Sequence, residues 1–450
     1  MNRTVLLLTL ASGFLLGACG DGSKLPTATG KGSIAAINAI SGSPSINFLI
    51  EERGLGAVAF QSTSSAESYD DLNYTFNFDV FFAGDDALTR IASQNVDVAA
   101  DQIYTLVASG TLAAPTVTVW EAPKREFADS DTVFRARFAH TSNSLGAATI
   151  DVYFALEGVA PVAGQEVATL NFGEISDTMD FEADAYVVTI TTSGNPGDVL
   201  FTSQAETILA RADMIITPFD GDANNTAPLV VRGLGALGGE IRFHDPLYPS
   251  TIQFLHAALE MGNSDVFDDA ALTSQILADH GFQDLTTSTP IVAGNYEFFY
   301  TPAGDTSMVS LQTSIGIVTG SHFRVHAVGA GGVYSTATTF LDRRSIDTAA
   351  KLLFFQSSNN FQFTDLYLVD VGATIDGEAP FRSRILSQAL NTPFELTPGS
   401  YDMYLTEFGA TEILAGPFSL DVAFGDVVDM LVYDNAADPA ILDIETVASP

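Results

Sequence analysis

Residues 185–192 read Ala-Tyr-Val-Val-Thr-Ile-Thr-Thr, and this stretch decides the fold class. It is dominated by β-branched and aromatic residues, with apolar and polar side chains interleaved, which is typical of a half-buried β-strand. Asp184 precedes it and Ser193-Gly194-Asn195 follow it, and these residue types favour turns. The stretch therefore predicts a strand that opens with Tyr186 and is bounded by turns.

The same kind of run recurs three more times along the chain. Each run opens with a tyrosine, and the spacings between successive tyrosines are 112, 110 and 105 residues. A phenylalanine lies 14 residues before the tyrosine in the first three copies. The tyrosines are Tyr74, Tyr186, Tyr296 and Tyr401, the phenylalanines are Phe60, Phe172 and Phe282, and the fourth copy has Leu390 instead. An internal repeat of this kind indicates tandem copies of one structural unit.

The repeat predicts an all-β chain of four tandem immunoglobulin-like antiparallel β-sandwich domains. Each copy begins with two strand-like runs, and the second run carries Asn47, Asp151, Asp265 or Asp365. A period near 105 residues is too long for solenoid or propeller repeats of about 20–50 residues, but it suits a sandwich of about 100. The predicted sandwiches cover residues 32–121, 132–248, 250–342 and 350–446, joined by short linkers such as 122–131. One helix is predicted, over residues 268–279.

Several motifs resemble one family of secreted bacterial β-domains. Phe138-Ala-His140, Ile150-Asp-Val-Tyr153, Leu170-Asn-Phe-Gly173 and Ala185-Tyr-Val-Val-Thr-Ile190 carry the resemblance in the second copy. Phe254-Leu-His-Ala257 and Asp265-Val-Phe267 repeat it in the third. They resemble domain of unknown function 4397. The first copy departs with Ala39 and Asn47, and the fourth has Leu353-Phe-Phe-Gln356 in place of the His motif. The resemblance implies an extracellular immunoglobulin-like sandwich and no known activity or catalytic residue.

The first residues have the pattern of an export signal. Arg3 precedes an apolar stretch from Val5 to Leu16, which is shorter than the about 20 residues that a spanning helix needs. Leu16-Gly17-Ala18-Cys19 follows and resembles the bacterial lipoprotein lipobox, which implies cleavage before Cys19 and acylation of that residue. The prediction is a signal peptide over 1–18, a lipid attached at Cys19 and a tether over 19–31. A plain secretory signal with a chance cysteine is the alternative.

Composition limits the partners and sites. The chain has 18 Lys+Arg against 55 Asp+Glu, a formal net charge of -37, which excludes general binding to nucleic acid because phosphates need a basic surface. A single cysteine excludes a disulfide framework and a Cys-cluster metal site. The partners expected are therefore the membrane, through the N-terminal lipid, and an envelope protein or glycan.

Histidines and acidic residues are the remaining candidates for chemistry. His140 and His256 align with Ala39 and Gln356, so we interpret them as structural residues at strand ends. His322 and His326 lie four apart on a predicted strand, which places their Cα atoms about 13 Å apart, too far to share a metal. Asp151, Asp265 and Asp365 lie in separate domains and are interpreted as acceptors for turn amides. Calcium is the alternative for three acidic loops, 220–225, 129–131 and 268–269.

These observations predict a non-enzymatic, lipid-anchored protein of the bacterial cell envelope, with Gly20 after the cysteine favouring the outer membrane. No catalytic residue, metal ligand or cofactor is predicted. The alternatives are a glycan- or calcium-binding surface module and, third, a hydrolase without a recognised motif.

Overall fold

The computed structural model describes residues 27–221, 227–235, 239–389 and 393–447, and it consists almost wholly of β-strands. The strands form eight sheets of four or five strands, which confirms the all-β prediction with repeated two-sheet sandwiches. The sole helical element in these ranges is a 3-10 turn at Leu259–Met261. None of the described residues belongs to a helix with the length and hydrophobicity needed to cross a membrane.

The strands group into four successive units. The first unit comprises β1 Lys31–Asn38, β2 Ile46–Ile50, β3 Arg53–Val58, β4 Glu67–Asp70, β5 Asn73–Val80, β6 Thr89–Asp97, β7 Gln102–Thr111 and β8 Ala114–Pro123. The second unit comprises β9 Val133–Phe138, β10 Ile150–Leu156, β11 Ala168–Leu170, β12 Met179–Glu182, β13 Ala185–Thr192, β14 Val199–Thr202, β15 Glu206–Thr207, β16 Asp213–Asp220, β17 Leu229–Gly235 and β18 Glu240–Phe243.

The third and fourth units have eight strands each. The third comprises β19 Ser250–His256, β20 Ser264–Phe267, β21 Gln275–His280, β22 Thr289–Ile291, β23 Gly294–Pro302, β24 Leu311–Ile317, β25 His322–Ala330 and β26 Val333–Phe340. The fourth comprises β27 Ala350–Gln356, β28 Phe363–Asp370, β29 Arg382–Leu386, β30 Phe394–Leu396, β31 Gly399–Glu407, β32 Ile413–Val422, β33 Val427–Asp434 and β34 Leu442–Val447.

All four units share one topology. In the first unit the sheets have the orders β4-β1-β7-β8 and β3-β2-β5-β6, and the third and fourth units repeat both orders. The second unit adds β18 to the edge of one sheet and β15 beside β13. The first strand of each unit runs parallel to one later strand, β1 to β7, β9 to β16, β19 to β25 and β27 to β33, while the other pairs are antiparallel. Each sandwich thus departs from a purely antiparallel arrangement at one strand pair.

Side-chain alternation builds one core inside each unit. In β2 the side chains of Ile46, Phe48 and Ile50 are buried while those between them are partly exposed, as expected for a strand with one face on a core. Phe48 packs against Phe76 and Phe78 of the partner strand β5, with ring centroids 5.6 and 5.3 Å apart. Corresponding apolar clusters fill the other three units.

In three units the repeated tyrosine forms a hydrogen bond to the backbone where the chain passes from one sheet to the other. The hydroxyl of Tyr186 donates to the carbonyl oxygen of the residue four positions earlier, Glu182, at 3.0 Å. Tyr296 and Tyr401 make the same bond to Val292 and Thr397, both at 2.8 Å. This resembles the tyrosine corner of immunoglobulin-like sandwiches, in which a tyrosine hydroxyl bonds to backbone a few residues upstream.

The helix predicted over residues 268–279 is wrong. The segment forms a turn followed by β21, which pairs with β20. The carboxylate of Asp269 accepts hydrogen bonds from the amides of Thr273 and Ser274, at 2.9 and 2.7 Å. These bonds close the turn and take up the amides, which illustrates how Asp competes with a helix for backbone hydrogen bonds.

Candidate functional site

In each unit a buried polar residue lies at the end of the first strand or two residues beyond it. The structure places Asn38, His140, His256 and Gln356 at this position, each two residues after an inward-facing core residue. The sequence alignment that paired His140 with Ala39 was therefore wrong by one residue. A one-residue slip moves a side chain to the other face of a strand, and Ala39 indeed lies in a different apolar cluster.

Asn38, His256 and Gln356 fasten the loop that follows the first strand. The side-chain amide of Asn38 donates to the carbonyl oxygen of Pro44 at 3.2 Å, and Gln356 donates to Phe361 at 2.9 Å. His256 Nε2 lies 2.8 Å from the carbonyl oxygen of Gly262, so this nitrogen donates. Burial lowers the pKa of both His140 and His256, although the backbones of Ala148 and Gly262 favour the charged forms. Asn38, His256 and Gln356, which are buried and bonded to this loop, act as structural groups.

The repeated aspartates each fasten a hairpin within their own unit. One oxygen of Asp151 accepts from the amide of Gly194 at 2.7 Å, and Asp265 and Asp365 accept from Gly304 and Gly409 at 2.8 and 3.0 Å. The three glycines have φ of 76, 75 and 74°, a backbone conformation that other residues rarely adopt. The predicted role as acceptors for turn amides is thus what the hydrogen bonds show.

The environment of these aspartates explains their ionisation. Burial raises the pKa of Asp151, but hydrogen bonds from Thr169, Gly194 and Ser193 outweigh it, and the net pKa is lowered. The pKa of Asp365 is lowered for the same combination of reasons. In the first unit Asn47 stands where the other units have the repeated aspartate. Asp79 faces Asn47 on the paired strand, and its carboxylate binds Arg90 at 2.9 Å.

The acidic loops proposed for calcium have protein partners. The carboxylate of Asp220 accepts from Ser142 Oγ at 2.6 Å and from the amide of Ser144 at 2.8 Å. Asp129 pairs with Arg211 at 2.7 Å, and Asp131 accepts from Ala128 at 2.9 Å. Asp222, Asn224 and Asn225 lie outside the described residues, as does Cys19. Within the described ranges no three His, Cys, Asp or Glu side chains are grouped so that they could hold a metal ion.

His322 and His326 lie on strand β25 and have separate partners. His322 Nδ1 lies 2.7 Å from Thr251 Oγ1, and His326 Nε2 lies 2.8 Å from Thr339 Oγ1. The His326 ring stacks on Phe355 of the fourth unit, with centroids 3.6 Å apart. The two imidazoles are therefore not brought together.

The structure joins the first and second units through an apolar contact, which we call the first joint. It is centred on Trp120, whose indole N–H donates across to the carbonyl oxygen of Gly173 at 3.0 Å. Phe60 meets Phe219 edge to face at 6.3 Å. The buried members of the first joint are Ile37, Ala39, Val107 and Trp120 from the first unit and Ala139, Ile215, Phe219 and Leu234 from the second.

A corresponding contact, the second joint, connects the third and fourth units. Beside its apolar cluster, the guanidinium of Arg324, which is 1% exposed, donates to Asp429 Oδ1 at 3.0 Å and to Gln253 Oε1 at 3.1 Å. Arg343 Nη2 also reaches Asp429, at 3.1 Å. The apolar members of the second joint are Leu255, Ala257 and Val328 from the third unit and Phe355, Leu431 and Tyr433 from the fourth.

The linker between the third and fourth units docks on the first unit. Arg344 Nη1 donates to the carbonyl oxygen of Ser43 at 2.6 Å, and its guanidinium lies over the Phe60 ring at 5.1 Å. The amide of Asp347 donates to the carbonyl oxygen of Gly42 at 2.7 Å. The units therefore contact one another well beyond their chain connections.

A cavity of about 360 Å³ lies at the edge of the first joint. Its apolar lining includes Phe127, Leu209, Met214 and Ile241. Its charged lining residues are engaged in ion pairs, as Arg211 is with Asp129, Arg125 with Asp180 and Asp213 with Arg135.

Sequence reasoning missed the joints. Arg324 and Asp429 each stand inside an apolar strand, in Phe323-Arg-Val325 and Val428-Asp-Met430. Because buried charges are found in pairs, two such residues are a signal that could have predicted a contact between the strands.

Curated proteins and solved structures give no close relative of this chain among those compared. No curated protein matches the chain. Among solved structures, the Bacillus anthracis TIE protein is 10% identical with a TM-score of 0.15, the alignment covering 90% of this chain and 69% of that one. A complex of the multi-modular glycogen-degrading pneumococcal virulence factor SpuA is 9% identical with a TM-score of 0.15, covering 74% of this chain and 44% of that one. Such scores support no argument about this protein.

The family comparison is more specific. The model for domain of unknown function 4397 matches residues 32–153, which run from β1 of the first unit into β10 of the second and include Trp120 of the first joint. The match supports the resemblance to the domain of unknown function 4397 family over this part of the chain.

Proposed function

We propose that this protein is a lipid-anchored, non-enzymatic component of the bacterial cell envelope, in which four packed β-sandwiches form a surface for contacts with another envelope protein or a glycan. The observation that carries the proposal is Leu16-Gly17-Ala18-Cys19, which ends an apolar stretch and contains the sole cysteine of the chain. Acylation there would anchor the protein without a spanning helix. Gly20 after the cysteine favours the outer membrane.

The uses of the polar residues support a scaffold rather than an enzyme. The recurring Asp151, Asp265 and Asp365 bind backbone amides, and the recurring His256 binds a loop carbonyl. These groups are in separate units and are engaged by the fold itself. The same engagement weakens the calcium alternative, because donors from the protein already occupy the carboxylates of Asp220 and Asp269.

The charge balance fits an exported surface. With 55 acidic against 18 basic residues, the units carry like charge that opposes edge-to-edge association of their strands. The scarce cations serve contacts between units, as Arg324, Arg343 and Arg344 do.

The test is Cys19→Ser in cells, followed by separation of the membrane and soluble fractions and by metabolic labelling with palmitate. We expect the variant to lose the label and to leave the membrane fraction. Ser23→Ala is the matched control, because it changes the tether but keeps the four-residue pattern, and it should behave as the wild type. If Cys19→Ser stays in the membrane fraction to the same extent as wild type, the lipid anchor is wrong.

A further inference from the structure

The contact between the second and third units contains an arginine without a carboxylate partner. Arg242 lies in β18, and among the described residues no Asp or Glu comes within ion-pair distance of it, although the chain carries 55 acidic residues. The pKa of its guanidinium is lowered to about 10, by burial first and then by the nearby charge of Arg232. A half-buried cation at such a position lacks the compensation that buried charges usually have.

His244 stands beside Arg242 on the same side of the strand. Phe243 between them points into the core of the second unit, so alternation directs Arg242 and His244 to the opposite face. His244 is buried, with 6% of its surface exposed. Its backbone is held in place, because its carbonyl oxygen accepts from the amide of Gln204 at 2.8 Å.

The two side chains converge on Gly320 of the third unit. A Cβ atom at Gly320 would lie 2.8 Å from His244 Nδ1 and 3.0 Å from Arg242 Nη2. Gly320 has φ of 67°, so the turn between β24 and β25 needs glycine here for its conformation as well. The pocket, whose polar lining residues are Arg242, His244, Asp245 and Tyr248 beside Gly320, has about 10 Å³ of space, roughly the room for one water molecule or one ligand oxygen.

We propose that Arg242 and His244 bind a small oxyanion group, a phosphate, sulfate or carboxylate, at the contact between the second and third units. The guanidinium of Arg242 would donate N–H bonds to the one oxygen that the pocket can hold, and the other oxygens of the anion would lie outside the pocket. An imidazole N–H of His244 supplies a further donor. The bound anion would compensate the charge of Arg242 and bridge the two units, independently of the lipid anchor.

The other ionisable groups around the pocket set its pH dependence. Burial lowers the pKa of His244, and Arg242 lowers it further; burial, Arg242 and Arg343 lower that of His322 on the facing β25. Asp245 follows His244, and burial raises its pKa. An anion next to His244 would favour the imidazolium, so binding should strengthen as the pH falls. Sulfate is the probe for the pH dependence because its own charge does not change between pH 7.5 and 5.5.

The experiment is calorimetric titration of the full chain in a neutral detergent and a zwitterionic buffer with sodium phosphate, sodium sulfate, sodium acetate and sodium chloride at equal ionic strength. We expect saturable binding of at least one oxyanion, with phosphate and acetate telling a phosphate-type from a carboxylate-type ligand. Arg242→Gln should weaken that binding about tenfold or more. His244→Gln, which keeps an N–H donor, should retain binding but lose the increase in sulfate affinity between pH 7.5 and 5.5.

Arg382→Gln is the matched control, since this arginine lies on the exposed β29 of the fourth unit, and it should bind as wild type. Circular dichroism checks that each variant is folded. Saturable binding of chloride alone, no saturable binding at all, or unchanged affinity in a folded Arg242→Gln protein would each overturn the proposal.

Discussion

The first and second joints occupy the same place in two pairs of units but are built from different chemistry. In both, the sheet that contains the parallel strand pair of one unit packs on the corresponding sheet of the next. By strand register, Thr105 of the first unit and Ile215 of the second correspond to Arg324 and Asp429 of the second joint. Beside the apolar cluster of the first joint, buried Arg137 donates across to the carbonyl oxygen of Glu121 at 3.2 Å and has no ion-pair partner among the described residues, whereas the second joint contains a buried ion pair.

The difference teaches that one topology can join its copies in two ways with different sensitivities. An apolar contact loses stability in proportion to the surface or volume removed from it. A buried ion pair adds little stability relative to apolar residues of similar size, but removing one partner leaves the other charge buried and unpaired. The second joint should therefore be the more fragile of the two towards single substitutions and towards acid.

Removing the carboxylate of the second joint should have the largest effect. Asp429→Ala leaves Arg324, which is 1% exposed, without its counter-charge, and we expect the free energy of unfolding in urea to fall by about 3–5 kcal/mol. Trp120 is the sole tryptophan and lies in the first joint, so its native fluorescence emission should not change. A loss below about 1 kcal/mol would show that the charge is solvated and contradict the comparison.

The matched control replaces the ion pair of the second joint with the residues at the corresponding positions of the first two units. Arg324→Thr combined with Asp429→Ile introduces the residues found at Thr105 and Ile215, and removes both members of the main ion pair together. Because such replacements are often neutral, the double variant should lose less stability than Asp429→Ala alone. If it loses more, the ion pair itself stabilises the second joint.

Acid should weaken the second joint through His326, whose counterpart in the first joint is Val107. Burial, and secondarily Arg324, lower the pKa of His326 well below 6.5. The unfolded chain therefore binds a proton near pH 6.5 that the folded chain does not, so the free energy of unfolding falls as the pH drops below that value. The contribution of one such histidine is up to about 1.4 kcal/mol per pH unit.

The measurement is the urea-unfolding free energy of wild type, His326→Val and His326→Gln between pH 7 and 5. Both variants should lose stability less steeply than wild type, whatever their stability at pH 7, because neither side chain titrates. An unchanged slope in both would mean that His326 is protonated in the folded protein.

The elements inside each unit were predictable from the sequence, because local residue patterns determine them. Tyr186 indeed lies at the start of a strand, β13, and Asp151 does accept turn amides. The joints were not predictable in the same way. Trp120 is buried because its face of β8 packs on the second unit, and alternation within a strand does not tell which other unit covers its outer face.

Two errors have local causes. His140 was paired with Ala39 because apolar residues surround both, and the true counterpart, Asn38, is identified only by the strand register. The segment 268–279 has the composition of a helix, but Asp269 accepts hydrogen bonds from the amides that a helix would need.

The pocket of Arg242 and His244 forms between two units, so neither sequence segment alone indicates it.

The smallest predicted effect tests whether the two pairs differ only in their joints. Tyr186 and Tyr401 each donate one hydroxyl hydrogen bond to a backbone carbonyl, at 3.0 and 2.8 Å, one in each pair. Tyr186→Phe and Tyr401→Phe should therefore lower the free energy of unfolding by the same amount, about 1 kcal/mol each. Tyr74 makes no such bond among the described residues, so Tyr74→Phe should have almost no effect. If Tyr401→Phe costs much more than Tyr186→Phe under the same urea titration, the pairs also differ inside their sandwiches, and the contrast cannot be assigned to the joints alone.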